Sequence, residues 1–223
     1  MWRAGPICVV SFLMIPAGQA LERLSVNDPR PLSAAVDLVE RRCHCVITYE
    51  DPLWKSDNVA LSGPHWPAMI PKGGLFTFDA PDPAATTPAQ MAAAMAQVVR
   101  AFEQSGSGRG AFRVTNDTTA VHVAPRPGSI LDTPVTITHA TRRLDDVVTV
   151  ALAEVERATG QKVVLATFPI NFFFQHRVEI EAKQEPAREV LVRALAASGR
   201  ALSWRLFFDA MGRHYYLGIH FVP

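Results

Sequence analysis

From residue 134 onward the spacing of apolar and polar positions changes period in a regular way. PVTITHA (134–140) alternates and predicts a strand. Over 144–158, Val148, Leu152 and Val155 fall on one face at helical spacing, and Thr159-Gly160 stops the run. KVVLATF (162–168), rich in β-branched residues, predicts the next strand. RVEIEA (177–182) alternates strictly, with Val178, Ile180 and Ala182 on one side and Arg177, Glu179 and Glu181 on the other. Pro186 suits the first position of a helix that buries Val190, Leu191, Ala194 and Leu195 and ends at Gly199. ALSWRLFF (201–208) and HYYLGIHF (214–221) flank a turn and predict a hairpin. Across it Leu202, Trp204, Leu206 and Phe208 match Tyr215, Leu217, Ile219 and Phe221.

The first half carries the same succession. ERLSV (22–26) predicts a strand, and Asn27-Asp28-Pro29 leads into a helix with Leu32, Ala35, Val36 and Val39 on one face. CVITY (45–49) is a strand, and GLFTFDA (74–80) alternates around Phe76 and Phe78. Thr87-Pro88-Ala89-Gln90 is a capping-box sequence opening a helix to about 104, striped by Met91, Met95, Val98 and Phe102. AFRVTN (111–116) and AVHVAP (120–125) form a hairpin. The pattern predicts an α+β protein of two tandem, duplicated βαββαββ modules, over 21–126 and 134–223, each a small mixed sheet packed on two helices. A linker is expected near 126–133.

The first twenty residues stand apart. Arg3 precedes an apolar run, and Gly18-Gln19-Ala20 sets small residues before Leu21, the layout of a cleaved secretory leader. Residues 1–20 are therefore read as a signal peptide, and the mature chain as periplasmic or secreted, with no membrane span. Of the 223 residues, 48% are apolar and 19% charged, which excludes an intrinsically disordered chain. Lys+Arg (22) and Asp+Glu (21) balance, so no nucleic-acid surface is expected.

Two stretches carry a resemblance. VNDPRPLSAAVDLVER followed by CVITY is one. The other is RRLDDVVTVALAEVERATGQKVVL followed by RVEIEAKQEPAREVLVRALAASGRALSWRL and a final strand. Both resemble the short N-terminal (STN) domain shared by secretins and TonB-dependent receptors, and the whole chain is similar to exported bacterial proteins. The resemblance covers nearly all of the mature chain as two copies and implies protein docking at the cell envelope. The chain stops at Pro223 straight after the last strand, so any barrel or secretin ring these modules serve is expected to be another chain.

Few residues offer chemistry. Cys43-His44-Cys45 suggests a dithiol or a soft-metal site, but a C-x-C disulfide closes a small strained ring, and no second pair completes a zinc site. The histidines form no HExxH set; His214 and His220 share the outer face of the last strand with Tyr216. Asp145 and Asp146 sit in a first helical turn, where they favour the dipole. No catalytic residue, cofactor or metal is expected. The binding candidates are aromatic. The connection 50–73 holds Trp54 and Trp66 among prolines, and the shorter connection 169–176 holds Phe172, Phe173 and Phe174. The leading expectation is a non-enzymatic adaptor that docks an envelope protein. The alternatives are a small-ligand binder with a pocket between the modules, lined by Trp54, Trp66 and the Phe172 cluster, and a dithiol redox or metal protein using Cys43 and Cys45.

Overall fold

The computed structural model describes residues 22–55, 59–62, 68–85, 87–108 and 110–223. The leader at 1–20 and Trp66 lie outside the described residues. In the first half the order is β1 (Arg23–Asp28), α1 (Pro31–Cys43), β2 (Ile47–Glu50), β3 (Val59–Ser62), β4 (Ala68–Pro71), β5 (Gly74–Asp79), α2 (Pro88–Ser105), β6 (Phe112–Asn116) and β7 (Val121–Pro125). After a 3-10 turn at Ile130–Asp132 come β8 (Pro134–Arg143), α3 (Leu144–Thr159), β9 (Val163–Thr167), α4 (Ile170–Gln175), β10 (Arg177–Pro186), α5 (Ala187–Ala197), β11 (Leu202–Asp209) and β12 (His214–Phe221).

The helices form where the apolar stripes place them. α2 starts at a complete capping box, with the Thr87 side chain accepting from the Gln90 amide and the Gln90 side chain accepting from the Thr87 amide. α3 ends at Gly160, whose φ of 69° is the left-handed turn that glycine adopts at least cost. α5 differs by one residue from expectation. β10 runs on to Pro186, which pairs with Pro134, so Pro186 caps the helix from an extended conformation instead of beginning it.

The protein is α+β, with a six-stranded mixed sheet in the order β6-β7-β2-β11-β12-β9. The expected division into one sheet per module does not hold, because strands from both halves share this sheet. Each half supplies an antiparallel hairpin beside a parallel strand: β6, β7 and β2 from the first, β11, β12 and β9 from the second. The trios join where β2 and β11 run parallel, with Tyr49 opposite Arg205 and Glu50 opposite Leu206.

Residues opposite one another in a ladder share a face. Tyr49 belongs to the core of α1 and α2, with Leu32, Met95 and Phe102, whereas Leu206 belongs to that of α3 and α5, with Val148 and Leu191. The helices of the two halves therefore cover opposite faces of one sheet. Two-stranded ribbons complete the cores: β1–β5 supplies Phe76 and Phe78, and β8–β10 supplies Ile137 and Ile180.

Buried charges hold the joint between the trios. Glu50 is 0% exposed and accepts from Arg188 Nε at 3.0 Å and Nη2 at 2.8 Å. Arg188 also reaches Asp132, which Arg113 bonds from the other side. Next along the chain, buried Asp51 accepts from Arg30 Nε at 2.8 Å, the Tyr49 hydroxyl at 2.9 Å and the Phe208 amide at 3.0 Å. Arg205 Nη1 and the Ser203 hydroxyl both donate to the Ile47 carbonyl. The stretch 126–133, expected as a linker, is part of this joint: Leu131 is fully buried and Ser129 bonds Glu50.

These carboxylates set an acid limit. Burial alone would raise Asp132, but the Ser129 amide and the guanidinium groups of Arg113 and Arg188 outweigh it and hold its pKa below the ordinary value. Glu40 and Asp117 are also lowered against burial, Glu40 chiefly by His220 and Arg205, and Asp117 by the Thr119 amide and His122. A carboxylate lowered on folding contributes stability above its unfolded pKa, about 4, and loses it as pH falls through the folded value. Asp51, raised by burial, works in the opposite sense. With Glu154 and Glu181 on the surface also lowered, by Arg157 and Lys183, five carboxylates are lowered against one raised, and the urea midpoint should fall as pH drops from about 5 to about 3. A midpoint constant over that range would contradict this account.

Candidate functional site

β9 is the last strand of the sheet and, among the described residues, pairs with β12 alone. Its sequence, Val163-Val164-Leu165-Ala166-Thr167, holds no charge and no proline, the usual means of blunting a sheet edge. Burial fades along it, from buried Val163 to exposed Ala166 and Thr167. The opposite edge is guarded. On β6, Glu103 accepts from the Phe112 amide at 2.9 Å, and Arg113 is drawn to Asp132.

α4 stands directly after this edge and sorts the three phenylalanines. In an extended segment they would alternate; in a helical turn they point in three directions. Phe173 is 0% exposed and belongs to the second core. Phe172 is partly buried, 3.7 Å from the His176 ring and 5.2 Å from that of Phe221, centroid to centroid. Phe174 is 47% exposed under the Arg143 guanidinium at 4.8 Å, and Ile170 is 53% exposed. The helix, separated from β9 by two residues, thus leaves Ile170 and Phe174 exposed. Of the phenylalanine candidates, Phe174 is the one presented to solvent.

Trp54 lies elsewhere. It is half-buried against the second core and lines a recess with Arg30, Tyr49 and Phe102 of about 10 Å³, space for roughly one water. Phe172, Phe173 and Phe174 take no part in that recess, and Trp66 lies outside the described residues. The connection containing Trp54 also forms the β3–β4 hairpin, which the spacing did not predict.

Cys43 and Cys45 are free thiols. Burial raises both pKa values; that of Cys45 is pushed up to about 12, with the Cys43 thiol and Glu40 adding to burial. A thiol held protonated is a poor nucleophile and a poor metal ligand. Among the described residues no three or more His, Cys, Asp or Glu side chains are grouped to hold a metal ion. Of the outer-face histidines, His220 bonds Glu40 at 2.6 Å, and Glu40 in turn accepts from the Ile47 amide at 3.1 Å, tying α1 to β12 and β2.

One arrangement escaped the sequence. Asp117 Oδ2 lies 2.9 Å from His122 Nε2, and His122 Nδ1 lies 2.8 Å from Thr48 Oγ1. This has the connectivity of an acid–base–nucleophile chain. Thr48 is fully buried, however, so no reactant reaches its hydroxyl. Asp117 also accepts from the amides of Thr119 and Ala120, which makes the chain a clamp on the β6–β7 turn.

No protein-family model, curated protein or solved structure matches the chain. No helix among the described residues is long and apolar enough to cross a membrane.

Proposed function

We propose that this chain is an exported, non-enzymatic docking protein, and that the β9 edge accepts a strand from a partner in the cell envelope. The observation that carries the reading is the unguarded edge itself: an uncharged terminal strand followed within a few residues by exposed Ile170 and Phe174. A strand added there would gain backbone hydrogen bonds along β9, and its side chains would choose among the flanking apolar surfaces. The leader at 1–20 supports export, and the resemblance of both halves to the STN domain supports docking at the envelope.

The test is photo-crosslinking in cells from a reactive residue placed at Thr167. Specific envelope adducts are expected. They should disappear when Ala166→Lys and Phe174→Ala are combined, since a charge on an edge opposes strand addition. Both positions are exposed or partly so, and the melting temperature should stay within a few degrees. Adducts that survive the double substitution, or none at all, would overturn docking at β9.

A further inference from the structure

Past the end of β9 the surface turns basic. Phe168, the residue after the strand, packs against Phe174 with ring centroids 6.4 Å apart, and the Arg143 guanidinium lies 4.8 Å from the Phe174 centroid. Arg143 ends β8, where it pairs in register with Arg177 at the start of β10. Two arginines thus stand directly opposite each other across an antiparallel ribbon, an arrangement that costs stability where opposite charges would contribute it.

The acids nearby do not relieve Arg177. Asp145 and Asp146 pair with Arg143, at 2.8 and 3.4 Å. Glu179, the next outward position of β10, pairs with His139 at 2.6 Å. Arg177 is exposed and, among the described residues, makes no ion pair; its Nη2 donates to the Thr141 carbonyl at 3.1 Å. The chain from Gln161 to Gln175, which holds β9 and α4, contains no acid, and its one charge is exposed Lys162 just before the strand. The docking edge is therefore uncharged along its length and positive at both ends.

We propose that the strand taken up at β9 belongs to an acidic partner segment. Its apolar residues lie along β9, and past the end of the strand, over Phe174, a carboxylate accepts from Arg177. This rests on the reading of β9 as a docking edge and adds the chemistry of what docks. The contacts from Phe168 to Arg177 span a few residues of extended chain at ~3.3 Å each. The same charges argue against a second copy as the occupant. A twofold antiparallel pairing of β9 with itself would set the Lys162 end of one copy against the arginine end of the other.

The experiment uses fluorescence anisotropy on the full-length protein. The probes are labelled synthetic strands of alternating threonine and valine with a short tail of aspartate, asparagine or lysine. The tail is placed at either end, so that both directions of pairing are covered. The aspartate tail should bind about tenfold more tightly than the asparagine tail, the equivalent of one charge-assisted hydrogen bond, and the lysine tail most weakly. The gap should narrow as salt is raised, because the arginines are exposed or partly so. Arg177→Glu should abolish the preference without lowering the melting temperature, since it turns the opposed arginines into an opposite-charge pair. Three tails that bind alike, or an aspartate preference that survives Arg177→Glu, would overturn the acidic partner and leave docking at β9 standing. No binding by any strand would overturn both. Sedimentation showing a dimer that Ala166→Lys dissolves would give the edge to a second copy and overturn the proposal as well.

Discussion

Replacing Arg188 with alanine is expected to destabilise the fold by about 3–5 kcal/mol, the magnitude of leaving one member of a buried ion pair uncompensated. Arg188 gives Glu50 two hydrogen bonds, at 3.0 and 2.8 Å, where Glu50 has no exposure to water. Without the guanidinium, Glu50 keeps the Ser129 hydroxyl, and Asp132 keeps Arg113. Urea unfolding would read the loss as a lower midpoint at unchanged slope. The double variant Glu50→Gln/Arg188→Met should recover most of it, because neither member of the pair then carries a charge. A loss below about 1 kcal/mol for Arg188→Ala, as for an exposed pair, would mean that strand pairing alone holds the trios together.

Phe173→Ala should be nearly as damaging, about 3–5 kcal/mol, because it removes a fully buried ring from a packed core. In thermal unfolding this is a fall of roughly 10 °C for a chain of this size. Phe174→Ala, one position along, should change stability by no more than about 0.5 kcal/mol while weakening capture at β9. Equal effects from the two variants would contradict the orientation of α4.

That contrast also shows what the sequence could convey. The stripes of α1, α2, α3 and α5 and the face shared by β11 and β12 were legible because helix period, capping and hairpin register are local. Leu202 does stand opposite Phe221, and Phe208 opposite Tyr215. The common sheet was not legible, since it depends on Tyr49 meeting Arg205 from the far half. Glu50 and Asp51 read locally as the polar start of a loop; only their distant partners Arg188, Arg30 and Phe208 make them buried acceptors. The run 172–174 drew notice as a candidate, but choosing Phe174 from the three required knowing that it lies on a helical turn.

The joint between the trios also bears on the order of events when the chain folds. Ser203 bonds the carbonyl of Ile47, 156 residues away, so β2 gains its second neighbour only after nearly the whole chain has been made. Pairings this distant slow folding, and meanwhile an open strand invites other chains. The strand that must wait ends in Glu50 followed by Asp51. Until Arg188 arrives, Glu50 is a negative charge on an open edge, which discourages premature pairing. The residue that locks the finished sheet thus guards it while it is incomplete.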